Sequence, residues 1–183
     1  MLIIGTIVVF RQLHYIQTRD LGFNKEQVLI IDGADALGSS ADIFKKEVTQ
    51  LPGVKTGTFS AFLPVSRSSR NVYNIFKAPV QTASNSFNVA TWAIDEGYLS
   101  TIGIKLLKGR NFSPGFSTDS SAVIINETTA RILGDTDPIG KNVYTFNDAG
   151  KPTAYRIVGL VKNFNFETLH HGVGPLMFTL QRS

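Results

Sequence analysis

Residues 119–140 read DSSAVIINETTARILGDTDPIG. The run at 122–125 is apolar and has the length of a buried strand. Asn126 stands where a helix N-cap belongs, and Glu127 puts a negative charge in the first turn, where the helix dipole favours it. Residues 128–133 continue for a turn and a half, with Ala130 and Leu133 on one face. Gly134 follows at the usual place of a left-handed C-cap. Asp137-Pro138-Ile139-Gly140 then makes a tight turn. Strand, capped helix and turn, with no reactive side chain among them, predict a scaffold of mixed strand and helix.

Outward from this stretch the composition is that of a folded chain. Of its 183 residues 43% are hydrophobic and 17% charged, enough for one large domain or two small lobes. The net charge of +4 is a mild excess. No Lys/Arg run interleaved with aromatics appears, so no nucleic-acid partner is expected. There is no Cys, which excludes a disulfide framework and thiolate metal sites. Thirteen Phe, with many Thr, Val and Ile, lean toward sheet.

Residues 2–10 (LIIGTIVVF) are almost wholly apolar. Arg11 and Gln12 end the run well short of the roughly 20 residues that span a bilayer. No basic region precedes it and no small-residue cleavage site follows, so it is not a signal peptide. Two readings stay open: the outer end of a transmembrane helix that begins outside this chain, and a buried strand of a soluble domain. Leu13, Ile16 and Gln17 keep helical spacing, and Tyr15 with Arg11 and Arg19 suits a membrane interface, which favours the first.

Downstream, residues 20–24 form a turn in which Gly22 supplies positive φ. Residues 27–32 (QVLIID) read as a strand. Residues 41–51 read as an amphipathic helix, with Ile43, Phe44, Val48 and Leu51 inward and Lys45, Lys46 and Glu47 outward, stopped by Pro52-Gly53. Residues 54–62 read as a second strand, completing a βαβ or split βαβ unit. The polar loop at 64–70 (PVSRSSR) is a candidate lobe boundary. Residues 72–76 and 87–94 alternate as strands around a hairpin-like connection, residues 95–102 form a short helix, and residues 108–112 a turn. Strands at 142–146 and 155–161 are joined by the hairpin turn Asn147-Asp148-Ala149-Gly150. The last strand is 176–180.

Candidate sites are few. His170 and His171 are adjacent, so on a strand they point to opposite faces and do not share a metal; His14 is distant. Asp95 and Glu96 could act as acid and base, but at a helix start capping is the better reading. Ser66, Ser68 and Ser69 lack a nucleophile-elbow context. Gly172-Val173-Gly174 has no Lys and precedes Pro175, so it is a turn rather than a phosphate loop. Asn126-Glu127-Thr128 matches a glycosylation triplet but reads as a cap. Trp92 is expected in the core or between lobes. Lys108, Arg110 and Arg67 could meet an anionic partner, but read as solvated surface. The sequence therefore predicts no catalytic, cofactor-binding or metal-binding residue, and no enzyme.

Several pieces together resemble one family. Arg11 to Ile30 resembles the link between a transmembrane helix and the extracytoplasmic domain in FtsX-like/MacB-like ABC transporter permeases, with Leu21-Gly22-Phe23-Asn24-Lys25 the most specific part. Glu96 to Ile104, followed by Leu107-Lys108-Gly109-Arg110-Asn111-Phe112, is similar to the family's "YF..G......GR.F" core. Ala122 to Asn126, Glu127, Ala130 and Pro138-Ile139-Gly140-Lys141 match next. Ile157 to Phe166 resembles the closing "VVGVV.DF" strand. The order is right across nearly the whole chain, and the variant looks most like the many-copy permeases of Bacteroidetes-type bacteria.

The resemblance implies an α+β fold of two lobes, like the MacB periplasmic core. Residues 1–23 would be the end of a transmembrane helix and a linker. Residues 24–63 plus 154–183 would form a membrane-proximal lobe, and residues 64–153 an inserted, sheet-rich lobe. It implies a separate cytoplasmic ABC ATPase as partner, since GxxxxGK[ST] is absent here, together with a second permease copy, a periplasmic adaptor or lipoprotein, and the membrane itself. The place would be the bacterial inner membrane, with this domain on the periplasmic side, coupling ATP-driven motion to substrate export or release. In the family a further strand–helix–strand portion usually follows, so the membrane-proximal sheet here is expected to expose an edge. The rival readings are a ligand-sensing extracytoplasmic receptor domain, which predicts an enclosed apolar pocket, and a hydrolase, which needs a nucleophile and base within hydrogen-bond reach.

Overall fold

A computed structural model describes residues 5–7, 10–11, 21–24, 27–64, 71–166 and 172–181. Seven strands make one sheet: β1 (Val72–Phe76), β2 (Ser86–Ile94), β3 (Leu106–Gly109), β4 (Ala122–Asn126), β5 (Asn142–Phe146), β6 (Pro152–Val161) and β7 (Leu176–Leu180). Its order is β3-β6-β4-β7-β2-β1-β5, and β5 also pairs with β6. The sheet therefore closes on itself, through β6, β4, β7, β2, β1, β5 and back to β6.

The long strand β6 makes this closure possible. It runs parallel to β4 on one side, from Ala122↔Arg156 to Asn126↔Val161. Its other side is shared end to end, by β5 at Asn142↔Arg156 to Phe146↔Pro152 and by β3 at Leu106↔Val161 to Gly109↔Gly159. Between β1 and β5 the ring is held by the single pair Phe76↔Tyr144.

Side chains alternate between two apolar clusters, as the period of two requires. Ile75, Val89, Val123, Ile125, Val143, Ile157 and Met177 come from all six ring strands and meet in one cluster, joined by Ala130 of the helix α3 (Glu127–Leu133). The second cluster centres on Trp92 with Ile94, Ile124, Leu176 and Phe178, and is covered by Tyr98, Leu99 and Ile102 of the helix α2 (Tyr98–Ile102) and by Phe164 and Phe166. β4 is buried along its whole length because both its faces are covered. The expectation of an α+β chain matches this mixture.

The deciding stretch folds as its residue types predict. The Asn126 side chain accepts from Thr129 N at 2.9 Å, capping α3, and the helix ends at Gly134, whose φ of 79° is left-handed. Asn126 is fully buried, which removes it as a glycosylation acceptor. The β5–β6 hairpin turns at Asn147–Gly150 as expected, with Gly150 N donating to Asn147 O at 2.8 Å.

The segment before β1 departs from the sequence reading. Only its helix forms, α1 (Ala41–Thr49), preceded by a 3-10 turn at Ala34–Ser40. Residues 27–32 pair with no strand among the described residues, and Leu29 and Ile30 are 84% and 53% exposed. Residues 54–62 pair with the sheet at one isolated bridge, Ser60↔Ile94. Ile43 and Leu51, expected inward, are 61% and 56% exposed. Local apolar patterning marks these residues for burial, but a strand needs a neighbour along its length, and the described residues supply only the bridge at Ile94. The C-terminal strands β6 and β7, grouped from the sequence with residues 24–63, are hydrogen-bonded into the same sheet as β1 to β5. The apolar N-terminal run is helical at 5–7 and 10–11, and no helix of the described residues is long and apolar enough to cross a membrane.

Candidate functional site

The most built polar and aromatic geometry lies where residues 21–24 meet Ile102, Phe164 and Asn165. Residues 21–24 clasp two separate parts of it. Asn165 N donates to Leu21 O at 2.7 Å, and Asn24 N donates to Ile102 O, also at 2.7 Å. Gly22 has φ of 80°, and a Cβ there would stand 3.0 Å from both Cα and Cβ of Phe164. Phe23 meets the Phe164 ring edge-on, with centroids 6.3 Å apart. The Asn24 side chain fills the space beside Gly103, where an added Cβ would come within 2.8 Å of its Nδ2. Backbone conformation, close approach and an aromatic pair thus fix one short element to the second apolar cluster, outside the sheet ring and hence the outer core, through Phe164, which itself touches Trp92.

Gly22→Ala should loosen this joint. Alanine at positive φ is strained by about 1 kcal/mol or more, and the tight approach to Phe164 adds to it. The expected result is faster amide exchange at Asn24 and Asn165, with the ring strands unaffected; unchanged exchange would contradict the assignment.

A second fastening lies nearby. The Asp95 carboxylate receives Lys45 Nζ at 2.9 Å, Phe59 N at 2.9 Å, Gly97 N at 3.0 Å and the Thr58 hydroxyl. One nearly buried acid at the end of β2 therefore holds α1, the strap at 58–59 and the start of α2. Burial works to lower the Lys45 pKa, but the hydrogen bond and charge of Asp95 outweigh it, and the ammonium titrates above its usual range. Asp95 reads from the sequence as a cap. It does bind Gly97 N, but three of its four donors lie 36 to 50 residues away, which local patterning cannot show. Asp95→Ala should free α1 and the strap, with a loss of about 1–3 kcal/mol. Hydrogen exchange at residues 41–62 should rise severalfold while β4 and β6 stay protected.

A third cluster clamps the turn after β3. Arg110 gives two parallel hydrogen bonds to Asp119, at 2.9 and 2.6 Å, and Ser113 N donates to the same carboxylate at 2.9 Å. The Asp119 side chain is fully buried. The Arg110 hydrogen bond comes first among the causes that hold its carboxyl below the usual range. Arg110 also lies over the Phe116 ring, 4.1 Å from its centroid. Solvated surface is thus the wrong reading for Arg110: the fork geometry finds a buried acid nine residues on. Lys108 does sit at the surface, against Thr136 O and Asp137.

The remaining sequence candidates are not drawn together. Trp92 is core, ringed by Phe62, Tyr98, Phe164, Phe166 and Phe178. Val173 O and Gly174 O accept from Thr128 and Asn126, so that turn is tied to α3. His14, Arg67, His170, His171, Ser66, Ser68 and Ser69 lie outside the described residues. Among the described residues no three His, Cys, Asp or Glu converge as metal ligands. A half-open cleft of about 410 Å³ beside β5 is lined by Lys77, Leu133, Asp135, Gly140, Lys141, Asn142, Tyr144 and Ile157.

The described residues thus make a closed sheet to which the short element at 21–24 is fastened by hydrogen bonds and packing. Residues 12–178 match the MacB-like periplasmic core domain, and the chain belongs to that family. It is thus a periplasmic or extracellular domain of a MacB-like ABC transporter permease. Among solved structures it is similar to the periplasmic region of MacB from Actinobacillus actinomycetemcomitans, at 14% identity over 74% of this chain and 52% of that one, with a TM-score of 0.47. It is also similar to the extracellular domain of the noncanonic ABC-type transporter YknZ from Gram-positive bacteria, at 21% identity, 74% and 59% coverage, and a TM-score of 0.48. A domain of a putative permease from Porphyromonas gingivalis matches at 17% identity, 74% and 54% coverage, and a TM-score of 0.49. The chain spans between half and three-fifths of the length of these structures. No curated protein matches by sequence.

Proposed function

We propose that this domain couples ATP-driven motion to the export or release of a substrate across the cell envelope, without covalent chemistry. The single observation that carries the reading is the joint at residues 21–24. It fixes the incoming chain to Ile102 and Asn165, so a displacement of that chain reaches the sheet through hydrogen bonds and packing. The family match supplies the setting: an ABC permease. The apolar run at 2–10 then belongs to a membrane helix, and the domain stands on the periplasmic side of the bacterial inner membrane. Residues 1–23 act as anchor and linker, and the closed sheet, to which β6 and β7 belong, is the body that they move. A separate cytoplasmic ATPase supplies the energy, a second permease copy completes the machine, and a periplasmic adaptor or lipoprotein is its contact in the envelope.

The test is to express the full reading frame with an ATPase encoded beside it. A membrane complex that hydrolyses ATP in proteoliposomes supports the reading. A product without membrane spans, or one carrying a kinase module, overturns it.

A further inference from the structure

Among the described residues the sheet leaves two strand edges open, and they are protected unequally. β3 shows the usual defences: it is four residues long, its register shifts between Leu106 and Lys108, and it carries an exposed lysine. The other edge is the seam between β1 and β5. β1 reads VYNIF, with no charge, no proline and no bulge against β2.

The register shows which groups are free. Lys77 N donates to Asn85 O and Thr91 N donates to Asn71 O, so residues 71, 73, 75 and 77 turn their backbone groups toward β2. Val72, Asn74 and Phe76 turn theirs away. Phe76 meets Tyr144, but Val72 and Asn74 meet no strand among the described residues. Their N–H and C=O groups form a short open ladder, flanked by the exposed side chains of Val72 and Tyr73.

Charge says what fits there. The cleft beside the Phe76↔Tyr144 pair is lined by Lys77 and Lys141. The Arg156 guanidinium lies next to Gly140, 3.6 Å from where a Cβ would stand. Asp135, the one carboxylate lining the cleft, is already held by Lys141. No carboxylate of the described residues pairs with Lys77. A second copy of this chain would bring the same cations and an uncharged strand.

We propose that the β1 edge takes up an extended, acidic segment of a partner protein as an added strand. The backbone of that segment bonds Val72 and Asn74, and its carboxylates reach Lys77 and the cations around the cleft. This goes beyond the coupling role and stands independently of it.

The probes are an acetylated octapeptide of alternating valine and threonine flanked by glutamates, and its lysine-flanked counterpart, added to the isotope-labelled full chain. Amide exchange at Val72 and Asn74 should slow at least about tenfold with the acidic probe, which should bind about tenfold more tightly than the basic one. Asn74→Pro removes an outward N–H while leaving every β1–β2 bond in place, and should abolish the protection. Lys77→Glu leaves the edge intact and should erase the preference for the acidic probe. Equal binding of both probes, or no slowing at Val72 and Asn74, overturns the proposal. So does protection of this edge without any probe at concentrations where the chain dimerises, because the occupant is then a second copy.

Discussion

Trp92→Ala should lower the melting temperature by roughly 10 °C. Trp92 is fully buried, and five aromatic rings surround it at centroid distances of 5.5 to 6.5 Å. Alanine removes the indole and leaves a cavity that Phe62, Phe164, Phe166 and Phe178 cannot all move to fill. A cost of about 3–5 kcal/mol is typical of such a change, and for a chain of this size each kcal/mol shifts the midpoint by about 2–4 °C. The indole N–H has no hydrogen-bond partner among the described residues, so Trp92→Phe loses volume but no polar contact and should cost less than half as much. Calorimetry on the two variants checks both figures. An alanine variant within 3 °C or so of the wild type would show that Trp92 is not the centre of the outer core.

Arg110→Ala should cost about 3 kcal/mol at neutral pH, more than an ordinary surface change, because it strands a buried carboxylate. Asp119 would keep only the Ser113 N–H, and the turn at 113–119 would lose its clamp. The effect has a pH signature. In the wild type the Asp119 carboxyl titrates below its ordinary value, chiefly through the Arg110 hydrogen bond. A depressed folded pKa contributes stability above the unfolded value of about 3.9, and that stability is lost as pH falls through the folded pKa. The gap between variant and wild type should therefore narrow below about pH 4. Urea denaturation at pH 7 and pH 3 measures it, and a gap that stays constant would rule out the Asp119 ion pair as its source.

These two sites also show what sequence can and cannot reveal. Asn126, Glu127 and Gly134 declare a helix by their own types and spacing, because a cap is satisfied within four residues. The alternation at 72–76 and 87–94 declares strands for the same local reason. Closure of the sheet was not legible, since it depends on β6 being shared by three strands, a matter of register rather than pattern. The cap reading of Asp95 covers only its bond to Gly97 N, and solvated surface is the wrong reading for Arg110, because their other partners lie across the fold or in an irregular turn without periodicity. Residues 27–62 were overread: Leu29, Ile30 and Ile43 have the residue types of a buried unit, but burial depends on a neighbour that their own sequence does not encode. The element at 21–24 is legible as a turn with Gly22 at positive φ and as part of a family likeness, but not as a joint. Its physical content, a glycine pressed on Phe164 and an asparagine beside Gly103, comes from the geometry.

These 183 residues contain no cysteine, so one placed at the exposed Asp148 is the single labelling site within this domain once any cysteine elsewhere in the complex is replaced. The decisive measurement is the spin-label distance between two copies at Asp148→Cys, in the full permease bound to its ATPase, before and after trapping with ATP and vanadate. Motion carried through the joint predicts a shift of about 5 Å or more, reduced at least by half when Phe23→Ala weakens the grip on Phe164 while the complex stays intact. A distance that does not change on trapping, or a shift untouched by Phe23→Ala, would contradict the claim that residues 21–24 transmit the movement.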